Sequence, residues 1–102
     1  MITHMVLFKV RPDVPQAEIE AIFADLSGLR EVIAGITSFA GGEYSSPEGL
    51  QRGYTHGFCM TFDSAAARDA YLPHPAHEVV KARVAAALEG GVAGALAFDF
   101  ES

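Results

Sequence analysis

Residues Ile2 to Val10 read ITHMVLFKV, a β-rich run that is apolar on both faces. Side chains alternate along a strand, so Ile2, His4, Val6, Phe8 and Val10 share one face and Thr3, Met5, Leu7 and Lys9 the other. A strand greasy on both sides must be covered on both sides. In a chain of 102 residues, a length that suits one domain spanning 1–102, few elements are left to do the covering.

After Arg11, Pro12 and Asp13 stop the strand, the period changes. Ile19, Ile22, Phe23, Leu26, Leu29, Val32 and Ile33 recur at steps of three and four, which predicts a helix from Pro15 to about Ala34. Pro15 suits a first helical turn, Glu18 and Glu20 lie near the positive end of the dipole, and Gly35 stops the helix. A second strand is expected over Ile36 to Tyr44, with Gly41 and Gly42 marking a bulge or a close contact. SSPEGLQRG is a loop. A third strand follows from about Tyr54 to Phe62, with His56, Phe58, Met60 and Phe62 on one face.

Ser64 is placed to cap a helix from Ala65 to about Leu72, which Pro73 and Pro75 break. Helical residues resume from about Ala76 to Leu88. Gly90, Gly91 and Gly94 lead into a last strand, Ala95 to Phe100, in which Leu96, Phe98 and Phe100 share a face.

The order β-α-β-β-α-β predicts an α+β, ferredoxin-like fold: a four-stranded antiparallel sheet with the helices on one face. The helices can cover only one side of the first strand. A second copy of the sheet is the economical cover for the other, making a homodimer and an α+β barrel. A long loop is the alternative cover.

Composition removes several function classes. The net charge is −6, from 13 acidic and 7 basic residues, and the Lys and Arg are scattered singly, which argues against nucleic acid as a partner. The apolar run at the N-terminus is too short for a signal or a membrane span, so no membrane partner is expected. Cys59 is the single cysteine; flanked by Phe58 and Met60, it reads as a small buried apolar residue, and a reducing, cytoplasmic setting is the expectation. The chain contains no GxSxG, P-loop or GxGxxG.

What remains is histidine and tyrosine chemistry. Three of the four histidines and two of the three tyrosines fall within RGYTHGFCM and YLPHPAHEV. His4 and His56 open two strands that are neighbours in this topology and antiparallel, so they lie at opposite ends and do not share a proton or a metal directly, though they can line the two ends of one elongated pocket between sheet and helices. In YLPHPAH the prolines fix the backbone around His74. His77 has the pKa of a general acid or base, and a Tyr71 phenol can donate to a developing oxyanion. The same residues also fit a helical corner in which His74 caps and His77 bonds a carbonyl. No Asp or Glu completes a zinc motif with His74 and His77.

Taken together, His4-Met5-Val6-Leu7-Phe8-Lys9, Gly53-Tyr54-Thr55-His56 with Thr61-Phe62, the Y-x-x-HPAH run from Tyr71 to His77, and Phe98-Asp99-Phe100 resemble the stress-responsive A/B barrel (Dabb) family across the whole chain. The resemblance implies a ferredoxin-like monomer that dimerises through its sheet. Its best-defined activity is a plant polyketide cyclisation, an aldol closure without metal or organic cofactor. Carried over, the catalytic pair is Tyr71 and His77, with His77 abstracting a proton α to a carbonyl and Tyr71 steadying the enolate oxygen. The pocket would be lined by His4, Val6, Phe8, Phe23, His56, Phe58, Phe62 and His74, and would hold a small hydrophobic, phenolic or β-keto ligand. No cofactor is implied. Some members hold a cation on backbone carbonyls at the end of the first helix, where Arg30, Ile33 and Ile36 stand here. Two further readings are a non-catalytic stress protein whose stability is its function, and cofactor-free monooxygenase or lactone isomerase chemistry of the kind other dimeric α+β barrels perform.

Overall fold

The computed structural model describes residues 1–102. Seven main elements follow in order: β1 (Ile2–Phe8), α1 (Gln16–Gly28), β2 (Ile36–Glu43), β3 (His56–Phe62), α2 (Ala65–Tyr71), α3 (Pro75–Ala87) and β4 (Ala95–Glu101). The strands pair antiparallel in the order β2-β3-β1-β4, so β1 and β3 are central, as the β-α-β-β-α-β pattern predicts.

Strand alternation sorts the sheet into two faces. Ile2, His4, Val6 and Phe8 of β1 and Phe58, Met60 and Phe62 of β3 point at the helices and are buried. Ile22, Leu26, Val80, Val84 and Ala87 meet them from α1 and α3. Arg83 of α3 clamps the helices together, its guanidinium donating to both Glu18 carboxylate oxygens at 2.9 and 3.0 Å and to Asp25 at 2.5 Å.

The opposite face has no helix. Met5 pairs with Cys59 on one side and Phe98 on the other, and Leu7 with Gly57 and Leu96. Leu7, Leu96, Phe98 and Phe100 stay exposed, Phe98 at 61%. The loop between β2 and β3 reaches only one end of this face, where Tyr44, Leu50 and Tyr54 border a cleft with Leu7 and Gly57. The Phe98 end has no cover within the chain. No helix is long and apolar enough to cross a membrane.

Several boundaries differ from the sequence pattern, each for a local reason. α1 ends at Gly28, not near Ala34; a 3₁₀ turn, Leu29–Glu31, follows, closed by the Val32 and Ile33 N–H groups on the Leu29 carbonyl. Turning tighter there swings Val32 out of the apolar stripe to 62% exposure, while Ile33 stays buried. β1 ends at Phe8, with Val10 bridged only to Leu88. β3 starts at His56, and α3 starts at Pro75, one residue earlier than the pattern suggests. The β2 irregularity sits between Ile36 and Ser38 and not at the glycines. Gly41 marks a close approach: a Cβ there would lie 2.7 Å from the Phe23 ring and 2.8 Å from Phe58 Cβ.

Candidate functional site

The helix-facing side of β1, β3 and β4 and the inner side of α3 border an apolar cavity of about 200 Å³ that is open at one rim. Phe8, Phe58, Val84, Leu88 and Ala97 form much of its wall, and His4, Tyr71, His77 and Lys81 bring the polar atoms. A larger, more open cleft of about 470 Å³ lies under the β2–β3 loop, where His56 meets Tyr44, Tyr54, Glu43 and Glu48, but it holds neither Tyr71 nor His77. Acid–base chemistry is better served by the smaller, more apolar space, where each polar group counts for more.

Local sequence explains how the site is held. The Ser64 hydroxyl accepts the Ala67 N–H at 3.1 Å and starts α2, which delivers Tyr71 into the core at its last turn. The chain then breaks at Pro73. His74 restarts it as the N-cap of α3, its Nδ1 accepting the Ala76 N–H at 3.1 Å, with Pro75 as the first helical residue. This break turns His77 back onto Tyr71: the rings stack at 4.1 Å between centroids, 30° apart.

His77 Nδ1 lies 2.9 Å from the Leu72 carbonyl oxygen. A carbonyl can only accept, so Nδ1 carries the proton and Nε2 keeps its lone pair. Burial holds the His77 pKa below its ordinary value; the Leu72 carbonyl and Glu78 pull the other way, and the neighbouring Lys81 ammonium adds to the lowering. The imidazole is thus neutral at neutral pH, the form a base requires. Tyr71 is fully buried, and no protein group hydrogen-bonds its hydroxyl. Burial first, and the charge of Asp99 second, push its pKa well above the usual phenol value. The hydroxyl therefore stays protonated and able to donate.

His4 lies beside this pair, its ring 6.0 Å from that of Tyr71. Its Nδ1 is 2.6 Å from Asp99 Oδ1, and Arg68 Nη1 donates to Asp99 Oδ2 at 2.8 Å. Asp99 falls within the Phe98-Asp99-Phe100 element of the sequence, which assigns it no role, and Arg68 belongs to no sequence motif. The signal for Asp99 is alternation: with Leu96, Phe98 and Phe100 on one face of β4, the inward set is Ala95, Ala97 and Asp99, a lone acid facing a greasy core.

Of the pocket residues expected from the sequence, His4, Val6, Phe8, Phe58, Tyr71 and His77 border the cavity together. Phe62 sits behind it, fully buried against Tyr71 and His4. His56 and Phe23 lie elsewhere. His56 pairs with Phe8, four positions along β1 from His4, and its ring faces Phe23 at 6.0 Å. The Thr55 hydroxyl donates to the Phe8 carbonyl and accepts the Val10 N–H, which leaves it to accept the His56 Nδ1 proton at 2.8 Å. His74 spends its Nδ1 on the helix cap and does not border the cavity. The carbonyls considered for a cation belong to the 3₁₀ turn (Arg30), the residue before Ala34 (Ile33) and the first residue of β2 (Ile36). No three His, Cys, Asp or Glu side chains converge anywhere in the fold.

Residues 2–102 match the stress responsive A/B barrel domain family. Among curated proteins, the stress-response A/B barrel domain-containing protein HS1 of Arabidopsis thaliana is 34% identical over 76 residues, covering 74% of this chain and 70% of that one. Olivetolic acid cyclase of Cannabis sativa is 26% identical over 76 residues, 74% of this chain and 75% of the cyclase. A dimeric ferredoxin-like protein of unknown function from Jannaschia sp. CCS1, solved by crystallography, superposes with a TM-score of 0.89 at 31% identity, over 99% of this chain and 98% of that one.

Proposed function

The chain belongs to the stress responsive A/B barrel domain family, and from that premise we propose that it is a cofactor-free acid–base catalyst acting on a small apolar or phenolic carbonyl compound. His77 Nε2 removes a proton from the carbon next to the carbonyl, and the Tyr71 hydroxyl donates to the oxygen as the enolate forms. The enolate then attacks a second carbonyl, as in a cyclisation, or is reprotonated elsewhere, as in an isomerisation.

The observation that carries this reading is the Tyr71 hydroxyl, buried without a protein partner beside a histidine whose tautomer leaves its lone pair free. A buried unpaired hydroxyl costs the fold roughly 1–3 kcal/mol, and such groups are rare, a catalytic role being one recognised reason for keeping one. The similarity to a cyclase supports the same direction. The cavity, about 200 Å³, is below the roughly 300–1,000 Å³ of sites for drug-sized ligands, which favours a compact substrate over a long polyketide.

The uncovered sheet face and the dimeric state of the Jannaschia relative support a homodimer joined through β4 and β1. A second reading, a stress protein selected for stability alone, is favoured by one observation: His74 and His77 both serve the α2–α3 corner.

Deuterium incorporation into the methyl group of acetophenone and 4-hydroxyacetophenone, followed by proton NMR in heavy water, separates the two. The wild type accelerates exchange above buffer, and His77→Ala returns it to the buffer rate. A folded wild type with no acceleration of either ketone overturns the catalytic reading.

A further inference from the structure

One residue of the cavity has no part in the proton transfer just described. Lys81 follows His77 by four residues on α3, so the two side chains rise from the same helix face, with Cβ atoms about 5–6 Å apart. Lys81 borders the cavity together with the exposed Leu72 and Val92, which places it at the rim. Although acidic residues outnumber basic ones 13 to 7 in the chain, no Asp or Glu borders this cavity, and Lys81 is its one permanently charged lining residue.

From this placement we infer that the cavity takes a small keto acid, its carboxylate held by the Lys81 ammonium at the rim and its carbonyl end inserted between Tyr71 and His77. The inference rests on the acid–base reading for the role of the carbonyl end, but not for the recognition of the anion. One helical turn separates the cation from the base. The carboxylate therefore lies a few bonds from the carbon that loses its proton, as in a β- or γ-keto acid.

Two further points bear on it. Lys81 Nζ donates to Glu78 Oε1 at 2.7 Å, but both side chains are half exposed and only three residues apart. An exposed pair of this kind is held weakly, so a substrate carboxylate can displace it. Lys81 also lies near enough to His77 for its charge to favour the neutral imidazole. A bound carboxylate that neutralises Lys81 would raise the basicity of His77 on substrate binding, coupling recognition to proton abstraction.

Levulinate and its methyl ester share one carbon skeleton and differ in the negative charge, which makes them suitable probes. Binding of each to the full chain is measured by ligand-observed NMR titration, for wild type, Lys81→Met and Lys81→Arg. The wild type is expected to bind levulinate about tenfold more tightly than the ester, by about 1.4 kcal/mol, with the advantage shrinking as salt is added. Lys81→Met should bind both equally, and Lys81→Arg should restore the preference. Lys81 is exposed, so neither change should disturb folding, and a thermal melt verifies this. Equal binding of the two probes by the wild type overturns the inference, as does a preference that survives Lys81→Met or binding of neither probe. A charge preference that depends on Lys81, without any His77-dependent exchange of the α-protons of levulinate, would instead retain the anion site and remove the catalytic reading.

Discussion

His4 and Asp99 stand opposite each other on β1 and β4, and their side chains meet at 2.6 Å on the helix side of the sheet. Arg68 of α2 holds the other carboxylate oxygen at 2.8 Å, so one acid ties a central strand, an edge strand and a helix together.

Asp99→Ala leaves the His4 ring buried and one arm of Arg68 without its carboxylate. Hydrogen bonds to charged groups contribute about 1.5–3 kcal/mol, so the expected loss is about 2 kcal/mol. In a domain of this size that lowers the melting midpoint by roughly 10 °C, read by circular dichroism. The pH dependence has a definite sign. Partial burial raises the Asp99 pKa, but the bonds from His4 and Arg68 outweigh it and the net value is lowered. A depressed carboxylate contributes stability above its unfolded value, about 3.9, and that contribution is lost as pH falls through the folded value. Melting midpoints should therefore decline more steeply below about pH 4 in wild type than in Asp99→Asn.

Tyr71→Phe separates function from folding. Removing a buried hydroxyl that has no protein partner takes away a desolvation cost, so the variant should melt at or above the wild-type midpoint, by up to about 2 kcal/mol of added stability. Proton exchange into the ketone should fall about 100-fold or more, the usual effect of losing an oxyanion donor. A clear drop in midpoint would mean that the hydroxyl supports the fold and not a substrate.

His77 should set the acid limb of the activity. Its pKa lies below the ordinary 6.5, chiefly through burial, so exchange should be flat at neutral pH and fall only at a more acid pH. The same shift makes stability whole above about pH 6.5 and progressively lost as pH falls toward the folded value, because the unfolded chain binds that proton first. Lys81→Met removes a neighbouring positive charge and should move the acid limb upward. An acid limb above pH 6.5 in wild type would contradict this assignment.

Phe98 tests the assembly. Burying a Phe side chain contributes about 2 kcal/mol, and a two-fold interface counts it twice, so Phe98→Ala should weaken the dimer by roughly 4 kcal/mol, or about 1,000-fold. Sedimentation velocity across a dilution series reads this directly. The monomer should keep its far-UV spectrum, because Phe98 projects away from the core. A wild type that sediments as a monomer at high concentration would remove the dimer proposal.

Element order, strand alternation and the face shared by His4, Phe8, Phe58 and Phe62 were legible in the sequence because each follows from period and punctuation. The end of α1 was not: Val32 has the right spacing for the apolar stripe, and only the tighter 3₁₀ turn moves it off. The opposite ends occupied by His4 and His56 were legible too, but the separation of His56 and Phe23 from Tyr71 and His77 depends on where α1 and α3 lie over the sheet. The Tyr71–His77 stack depends on the angle at the Pro73 break. Arg68 reaches Asp99 across 31 residues of chain, a contact that no local pattern announces.

β1 and β4 carry two messages on alternate letters: His4, Val6, Ala97 and Asp99 read inward, while Met5, Leu7, Leu96, Phe98 and Phe100 read outward. Replacing one letter at a time lets either message drift without garbling the other, which suits a scaffold shared by a stress-response A/B barrel protein and a cyclase. Deleting a single residue from the middle of β4 would transpose them. Part of the strand would then turn phenylalanine toward the cavity and aspartate toward the helix-free face. Point substitutions are thus the route by which such a sheet can change its trade, and frameshifts of register are closed to it.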